Sequence, residues 1–558
     1  NIKFVGLHAH SVAGSLFDAI GYPQEHMNFA YENGSDALAL TDHGNMNGLA
    51  YQVLHAKKMK EEGKDFKPIF GCEAYFTPSI SEWHEAYDKA MEDKKKARSI
   101  KKDTASGATV EDESDSKKTQ SILKRRRHLV LLAQNQTGLN NLFKLVSESY
   151  KAENFYRYPR VDYALLKKHG EGIIAASACL GGVYAGNYWE NRDDGPDAVL
   201  DAMRDTTMNM QDIFGDRWYG EIQWNNIPEQ HELNQYIIQV TTEMGVKLIS
   251  TADSHYPGPD AWKDRELYKR LGWLGRGKPT WAEEESDLPA GVEEIGYELY
   301  PKNGEQMWES YKQYAEECKV EYNDDVVLRS IEETHAIAFE RIDDFMPDNT
   351  VRLPSFVVPA GFTDSGALVN FALEGLKARR LHNNPEYLQR LQHELNVIDD
   401  RGFSKYFLTM KSIVDVAIDM MLPGPGRGSA AGSLVAYCLG ITQVDPIRHG
   451  LLFSRFLRSD ATDYPDIDYD VSDSMTLKEK LVEKWGEDCV APISNWNTLQ
   501  LRSLIKDISK LYNIPFTEAN TVTSVMMREA TPEARKKHGI RAGVYAPTWE
   551  EVMEFSPS

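Results

Sequence analysis

The chain has few cysteines, no long apolar run and no excess of basic residues. Its five cysteines are scattered without CxxC spacing, which argues against a disulfide framework and against a zinc ribbon. No apolar segment approaches the ~20 residues that cross a bilayer. The opening NIKFVGLHAH lacks the basic start and apolar core of a secretory signal. These features predict a reducing, cytoplasmic setting, and the absence of an initial Met predicts a processed or trimmed start.

The charge balance is acidic. Asp and Glu number 85 against 63 Lys and Arg, which gives a formal charge of −22. Phosphate repulsion therefore opposes a chain that coats nucleic acid electrostatically. An enzyme that holds metal ions in acidic pockets remains compatible, because bound cations neutralise the carboxylates locally. At ~100–200 residues per domain, the length predicts several domains.

Short apolar runs alternate with helical patterns from residue 2 to about residue 275. Examples are DALALTDHG, HLVLLAQN, EGIIAASACL and VKLISTADSHY, with helix-like stretches between them. This alternation is typical of a mainly parallel sheet or barrel of the α/β class. Polar and titratable residues follow the apolar runs, at the predicted carboxyl ends of the strands, where α/β proteins build their sites.

One segment, from about 79 to 127, interrupts this alternation. It is rich in Lys, Asp, Glu and Ser with almost no apolar periodicity, which predicts an exposed and mobile insertion. The basic cluster Lys124–Arg127 at its end is open to two interpretations. It is either a nucleic-acid contact or the solvated end of a loop.

His8 and His10 alternate in a predicted first strand, so both side chains project from one face. An HxH pair alone is equally compatible with a structural role. Similar residue types recur around the later apolar runs: Asp42 with His43, Glu73, His128, Cys179, and Asp253 with His255. These are ligand types that zinc, manganese and iron favour. Their recurrence predicts a metal site at one rim of a barrel.

The motifs LHAHSVAGSLFDAI, ALALTDHGNMNGLA, GCEAYF, HLVLLAQNQTGLNNL, SACLGG and TADSHY together resemble the PHP (polymerase and histidinol phosphatase) domain. More narrowly, they resemble the PHP domain of the alpha subunit of bacterial DNA polymerase III, a C-family replicative polymerase. The resemblance implies a hydrolytic cluster of zinc or manganese, with iron as an alternative, and a 3′–5′ exonuclease. The positions that match its metal ligands are His8, His10, Asp18, His43, Glu73, His128, Cys179, Asp253 and His255. The spacing from HxH to Asp18 is one residue longer than is common in the family.

Two further motifs lie between residues 423 and 470. The loop PGPGRGSAAGS exposes backbone N–H groups around Arg427 and is either a phosphate site or a tight structural turn. PDIDYD sets Asp466, Asp468 and Asp470 at alternate positions of an extended segment, as magnesium-binding aspartates or as an acidic surface turn. A calcium EF-hand is excluded, because Val471 occupies the position that requires glycine.

The stretch GPGRGSAAGSLVAYCLGITQVDPIRHGLLFSRFL…PDIDYD is similar to the palm of the same polymerase family. The resemblance implies that Asp466 and Asp468 are catalytic aspartates that bind Mg²⁺, with Asp470 as a supporting acid. It also implies that Arg427, Gly428 and Ser429 contact the triphosphate.

The expected architecture is α/β, with a distorted (β/α) barrel, a mixed α/β nucleotidyltransferase-type palm and a helical thumb. The expected bounds are 1–275 for the PHP domain, 276–474 for the first part of the palm, 475–535 for the thumb and 536–558 for a truncated palm return. The family's third palm aspartate and its fingers are not found in the sequence. We therefore expect the chain to be a fragment or one half of a split polymerase, of phage or bacterial source. Its expected partners are primer-template DNA, deoxynucleoside triphosphates, a second polypeptide that completes the palm, and a sliding clamp bound by the missing part. The alternative is a free-standing PHP phosphoesterase.

Overall fold

The chain divides into two units in the computed structural model, which describes residues 1–100, 110–275, 298–354, 356, 358–495 and 497–558. The first unit joins residues 1–348 to residues 499–558, and the second comprises residues 349–498. The expected start of the palm at 276–297 lies outside the described residues. Each unit has its own buried apolar core.

One sheet runs through the first unit. Its strands are β1 (Ala37–Leu40), β2 (Lys67–Phe76), β3 (Arg127–Ala133), β4 (Arg160–Val161), β5 (Ile173–Ala176), β6 (Trp218–Gln223) and β7 (Lys247–Thr251). The order is β1-β2-β3-β5-β6-β7, with β4 paired to β2. Strand β3 runs antiparallel to β2 and β5, whereas the other pairs are parallel. Most of these strands coincide with the apolar runs of the sequence.

Residues 6–10 close this sheet into a ring. On the β1 side, Ala39 N donates to Gly6 O at 2.9 Å. On the β7 side, His10 N donates to Ser254 O at 2.7 Å. The segment therefore joins the first and last strands, and the predicted α/β fold with a distorted barrel is confirmed.

Alternate strand residues line the inside of the ring. This inner core consists of aliphatic, small and aromatic side chains: Val5, Leu7, Ala37, Ala39, Ile69, Val130, Leu132, Ile174, Ala176, Ala178, Tyr219 and Ile249. Because side chains alternate along a strand, His128 shares the inner face with Val130, and Glu221 shares it with Tyr219. The same alternation that builds the core thus brings polar groups to one end of the ring.

Twenty α-helices occur among the described residues, in both units. They are α1 (Pro23–Glu32), α2 (Leu49–Glu61), α3 (Ile80–Ile100), α4 (Val110–Lys124), α5 (Gln136–Ser149), α6 (Tyr163–His169), α7 (Val183–Asn191), α8 (Pro196–Phe214), α9 (Pro228–Met244), α10 (Trp262–Gly275), α11 (Gly304–Glu317), α12 (Asp324–Ala336), α13 (Asp364–Ala378), α14 (Pro385–Asp400), α15 (Ser404–Ile418), α16 (Leu434–Cys438), α17 (Ser474–Trp485), α18 (Leu501–Leu511), α19 (Phe516–Lys537) and α20 (Trp549–Phe555). Among the described residues, none of them is long and apolar enough to span a lipid bilayer.

The charged segment 79–127 differs from the expected mobile loop. Its start forms α3, and the first turns of that helix bury Ile80, Trp83 and Ala86. The guanidinium of Arg160 lies 4.1 Å from the centre of the Trp83 ring. An apolar face of three residues is too short to stand out in a charged composition, which is why the sequence did not reveal it. The second half of α3 is exposed, and the part of the insertion at 101–109 lies outside the described residues.

The second unit packs α13 to α16 around an apolar core that includes Leu376, Leu391 and Phe407. Within it, extended backbone pairs the glycine loop with the acidic segment. Arg427 forms an antiparallel bridge with Asp468, and a second bridge lies between residues 423 and 471. The two motifs, which are about 40 residues apart in the chain, are therefore neighbours in the fold.

Candidate metal centre

Nine side chains that the sequence singles out meet at one end of the ring. Seven fall into three overlapping groups whose candidate ligand atoms lie within 4.8 Å of one another: His8, His10, Glu73 and Asp253; His10, His43 and His255; and His43, Glu73 and His128. Asp18 and Cys179 contact members of these groups.

The position of two of these residues differs from the sequence prediction. His128 and Glu73 do not follow a strand, because His128 begins β3 and Glu73 lies within β2. Strand β3 is antiparallel to its neighbours, so its amino end meets their carboxyl ends. His128 thus reaches the same rim from the opposite chain direction.

The central group brings four ligand atoms together. His8 Nε2 and His10 Nε2 lie 3.1 Å apart. Glu73 Oε2 lies 2.8 Å from the first and 2.7 Å from the second, and Asp253 Oδ1 lies 3.0 and 3.2 Å from them. Two imidazole nitrogens and two carboxylate oxygens therefore face one point from three parts of the chain.

A second set of contacts surrounds Asp18. Its Oδ2 lies 2.9 Å from His43 Nε2 and 3.1 Å from His255 Nε2. Arg265 Nη2 donates to the other oxygen, Oδ1, at 2.9 Å. The longer spacing before Asp18 thus does not remove this residue from the site.

Glu73 connects these contacts to a third side of the site. Its Oε1 lies 2.7 Å from His128 Nδ1, and its Oε2 lies 3.5 Å from His43 Nδ1. Cys179 Sγ lies 3.4 Å from His128 Nδ1. Burial raises the pKa of the Cys179 thiol well above its ordinary value, and the charges of Glu73 and Asp253 add to that effect.

Three buried atoms of the site make no hydrogen bond of acceptable geometry among the described residues. They are His43 Nδ1 and two carboxylate oxygens that lie close to histidine nitrogens, Glu73 Oε1 and Asp253 Oδ1. An unsatisfied buried polar atom costs ~1–3 kcal/mol, and a bound cation would remove that cost. The donor set of imidazole nitrogens, carboxylate oxygens and one thiol is compatible with zinc, manganese or iron. The residues present therefore fit a metal cluster.

The ionisation of the site is set by burial and by mutual charge. Burial lowers the pKa of His10, but Glu73 and Asp253 raise it to about 9. Burial raises the pKa of the Glu73 carboxyl, but His8 and three further histidines bring it well below its ordinary value. Burial and the charge of His10 lower the pKa of His43 to about 4. The carboxylates are therefore ionised, and protons on His8 and His10 balance them where cations would otherwise do so.

Sequence reasoning missed Glu221. The carboxylate of Glu221 is buried. Its Oε1 lies 2.6 Å from His8 Nδ1, and its Oε2 accepts a hydrogen bond from Ala178 N at 3.0 Å. Thr251 Oγ1 donates to Glu221 Oε1 at 2.5 Å. A sequence signal was present, because Glu221 follows Tyr219 on the inner face of β6, where an acidic residue needs a partner.

Asp42 lies behind the site rather than in it. The sequence paired it with His43, but its carboxylate accepts from Ser15 Oγ at 2.8 Å and from Ser11 N at 2.6 Å. Ser15 Oγ in turn lies 3.1 Å from His10 Nδ1. Asp42 therefore acts on His10 through Ser15.

In the second unit, the acidic segment alternates as the sequence predicts. Asp466, Asp468 and Asp470 are exposed, whereas Ile467 and Tyr469 pack against the core. None of the described groups of three or more potential ligands includes these aspartates.

The glycine loop approaches the acidic segment closely. A Cβ at Gly428, where φ is +69°, would lie 2.1 Å from Asp468 Oδ2, and a Cβ at Gly424 would lie 2.2 Å from Asp470 Oδ1. The positive φ favours glycine at position 428, and at both positions a larger residue would displace the neighbouring carboxylate. Arg427 and Ser429 are exposed beside Asp468, so the structure brings together the residues that the sequence assigned to one site.

The arginines of the basic cluster at the end of the insertion make different contacts. The arginines on either side of Arg126 bind Glu190. The Arg126 guanidinium instead lies 3.8 Å from the centre of the Tyr158 ring. Tyr158 is next to Tyr75, which stacks on His43. Arg126 is thus an exposed cation at the rim of the metal centre.

Comparison with known proteins finds two family models along the chain. Residues 6–225 match the PHP domain model, and residues 366–553 match the model described as the bacterial DNA polymerase III alpha NTPase domain. The DNA polymerase III subunit alpha of Aquifex aeolicus is 35% identical over 534 residues, or 94% of this chain. The chain is similar in sequence to DNA polymerase III alpha subunits over nearly its whole length. The corresponding subunit of Borreliella burgdorferi is 32% identical over 93% of this chain.

The polymerase III alpha relatives are much longer than the chain. The chain spans 41% of the Aquifex aeolicus protein and 40% of the Borreliella burgdorferi protein. Among solved structures, an amidohydrolase from Chromobacterium violaceum aligns with a TM-score of 0.25 at 14% identity, over 47% of this chain and 96% of its own. A score that low adds nothing to the assignment.

Proposed function

We propose that the barrel is a metal-dependent phosphodiesterase that removes nucleotides from DNA 3′ ends, within a replicative DNA polymerase. The observation that carries this proposal is the convergence of nine ligand-type side chains, three of which hold a buried atom without a well-formed hydrogen bond. In this proposal the nine residues hold zinc or manganese, with iron as the alternative. Bound ions of this kind lower the pKa of water and polarise a phosphodiester.

The chain's own residues prepare the imidazoles for that role. Glu221 accepts the Nδ1 proton of His8, which leaves Nε2 of that ring to face the centre. Ser15 donates its hydroxyl proton to Asp42 and therefore accepts a hydrogen bond from His10 Nδ1. This contact leaves Nε2 of His10 to face the centre. His255 Nδ1 donates to Asp253 O at 2.7 Å, which directs its Nε2 inward. These Nδ1 contacts fix the orientation of three rings before any ligand arrives.

The test is release of mononucleotides from a 3′-labelled single strand by the purified chain, supplied with Zn²⁺, Mn²⁺ or Fe²⁺ in turn. We expect release that a chelator abolishes and that His8→Ala/His10→Ala reduces at least a hundredfold. The matched control is His169→Ala, because His169 lies on α6 away from the site. Absence of bound metal together with equal activity in the double variant would show that the domain is structural.

We further propose that the glycine loop and the acidic segment are part of a polymerase palm. The supporting observation is the close approach of Gly428 to Asp468. In this proposal Asp466 and Asp468 bind Mg²⁺, and Arg427, Gly428 and Ser429 contact the triphosphate, with Asp470 in support. Primer-template DNA and deoxynucleoside triphosphates are the substrates. A further polymerase portion or a second polypeptide supplies the fingers, the third aspartate and the clamp contact.

The polymerase proposal is tested by primer extension with the chain combined with a polypeptide that supplies the rest of the relatives' length. We expect Asp468→Asn to abolish extension, and Asp460→Asn, an exposed acid outside the motif, to preserve it. Equal extension by both variants would refute the assignment. A free-standing phosphoesterase is less supported, because it leaves the glycine loop and its aspartates without a role.

A further inference from the structure

A cavity of about 320 Å³ opens beside the metal centre, on the side of β5, β6 and β7. Three of the nine site residues, Cys179, Asp253 and His255, form part of its wall. The remaining wall comes from the segment after β6 and from residues 298–314, and its apolar part comprises Leu180, Trp224, Ile227, Leu299, Met307 and Tyr314. The volume is at the lower end of the range for bound small molecules, which suits a single nucleotide.

The cavity wall is aromatic and rigid on one side. Trp224 is held by a hydrogen bond from its indole N–H to Ser250 Oγ at 3.2 Å. Its ring centre lies 4.8 Å from that of Tyr311. Asn225 and Asn226 line the same wall. Aromatic surface accepts any nucleobase by stacking, and amides offer donors and acceptors to a base edge.

The cavity wall also includes a cation, Lys269, that can form further hydrogen bonds. Arg265 is committed to Asp18, and Lys302 lies 3.0 Å from Glu298 Oε2. Lys269 Nζ lies 3.7 Å from its partner Glu266 Oε1, which is a loose ion pair. An ammonium carries three donors, so Lys269 can bind a phosphate oxygen as well.

We propose that this cavity binds the unpaired 3′-terminal nucleotide of a DNA strand, with the base against Trp224 and the phosphate between Lys269 and the metal centre. This inference rests on the proposed exonuclease function and names its substrate subsite. The reaction adds water across one bond: the bond from phosphorus to the 3′ oxygen of the preceding nucleotide breaks, and the water oxygen remains on phosphorus. A proton passes to the 3′ oxygen of the shortened strand, and the product is a deoxynucleoside 5′-monophosphate. A paired terminal base must leave its partner to enter, so frayed and mismatched ends are the preferred substrates.

Binding of the product tests the cavity directly. Isothermal titration calorimetry with dAMP and with inorganic phosphate would be measured on the full chain, with and without added Zn²⁺. We expect dAMP to bind at least tenfold more tightly than phosphate, and Ile227→Trp to remove that difference by filling the cavity.

Ile227 is only partly buried and lies outside the apolar cores, and Leu180→Trp is the second variant should the first fail to fold. Met208→Trp, at an exposed position of α8, is the matched control. The proposal is overturned if dAMP binds no better than phosphate, or if both filling variants bind dAMP like the wild type.

Kinetics separate failure of this inference from failure of the proposed function. Wild type and variants would be compared on mismatched primer ends, on paired ends and on bis(p-nitrophenyl) phosphate. We expect mismatched ends to be cleaved at least tenfold faster than paired ends. We also expect Ile227→Trp to raise KM for mismatched ends at least tenfold more than KM for the small ester. If the wild type hydrolyses every substrate and the filling variants show no change of KM, the cavity proposal is contradicted and the exonuclease proposal is not. No hydrolysis by the wild type contradicts the exonuclease, and dAMP binding then still decides the cavity.

Discussion

At the scale of single residues, Glu221 is the buried group on which the geometry of His8 depends. Glu221→Gln retains the shape and the acceptor oxygen but removes the charge that holds the Nδ1 proton. Loss of such a supporting group typically costs ~10–100-fold in metal affinity. We expect that loss in a competition titration with a chelator. Glu243→Gln on the surface pair with Arg204 is the control. Unchanged affinity in Glu221→Gln would show that this carboxylate does not orient His8.

The protonation of His10 predicts a pH dependence of stability in the metal-free chain. Its pKa is raised from 6.5 to about 9, so the charged ring contributes stability that is fully present below its ordinary pKa. That contribution is lost as the pH rises through the folded value. We therefore expect the free energy of unfolding to fall between about pH 6.5 and pH 9 without metal. The metal-loaded chain should lack this fall, because a ligating imidazole is already deprotonated. Parallel pH profiles of the two forms would contradict the electrostatics of the site.

Substitution of Arg126 tests whether this arginine contacts DNA or only packs against Tyr158. Arg126→Ala removes an exposed cation that stacks on Tyr158 beside the site, so we expect KM for single-stranded DNA to rise several-fold with kcat unchanged. Its neighbour Arg125 pairs with Glu190, and Arg125→Ala is the matched control. A weaker dependence of KM on salt in the Arg126 variant would identify a phosphate contact. Equal KM values for the two variants would leave Arg126 with a packing role only.

At the scale of elements, the insertion has a packed base and an exposed remainder. Trp83→Ala removes a fully packed indole from between α3 and β4, and such a change costs ~3–5 kcal/mol. We expect chemical denaturation to show that loss in Trp83→Ala. Replacement of residues 91–120 by a short Gly/Ser linker should instead leave the free energy of unfolding and the metal content unchanged. Loss of metal in the linker variant would show that the outer helices support the site.

The strands and the site were predictable because each depends on a local pattern. Val130 and Leu132 alternate with outward-facing residues, and His128 continues their face. The direction of β3 was not predictable, because an apolar run reads the same in a parallel and an antiparallel pair. Glu221 was missed for a related reason: its role comes from a contact with a residue 213 positions away, which no spacing within one strand reveals.

At the scale of the whole molecule, polymerase chemistry depends on carboxylates beyond Asp466 and Asp468. The described part of the chain places no third carboxylate with Asp466 and Asp468 in a group of potential ligands. Two magnesium ions in line need more ligands than two aspartates supply. We therefore expect the purified 558-residue chain alone to extend a primer poorly. Robust templated synthesis would contradict this and would direct attention to Asp470 as the third acid.

The central claim is that His8, His10, Glu73 and Asp253 share bound metal. Anomalous diffraction from crystals of the chain grown with Zn²⁺ or Mn²⁺ tests it most directly, because the signal locates the ions irrespective of activity. The account predicts anomalous peaks ~2.0–2.3 Å from His8 Nε2 and from a Glu73 oxygen, with the imidazole nitrogens of His8 and His10 moved apart from their 3.1 Å contact. Anomalous density confined to surface acids, with that contact unchanged, would contradict it.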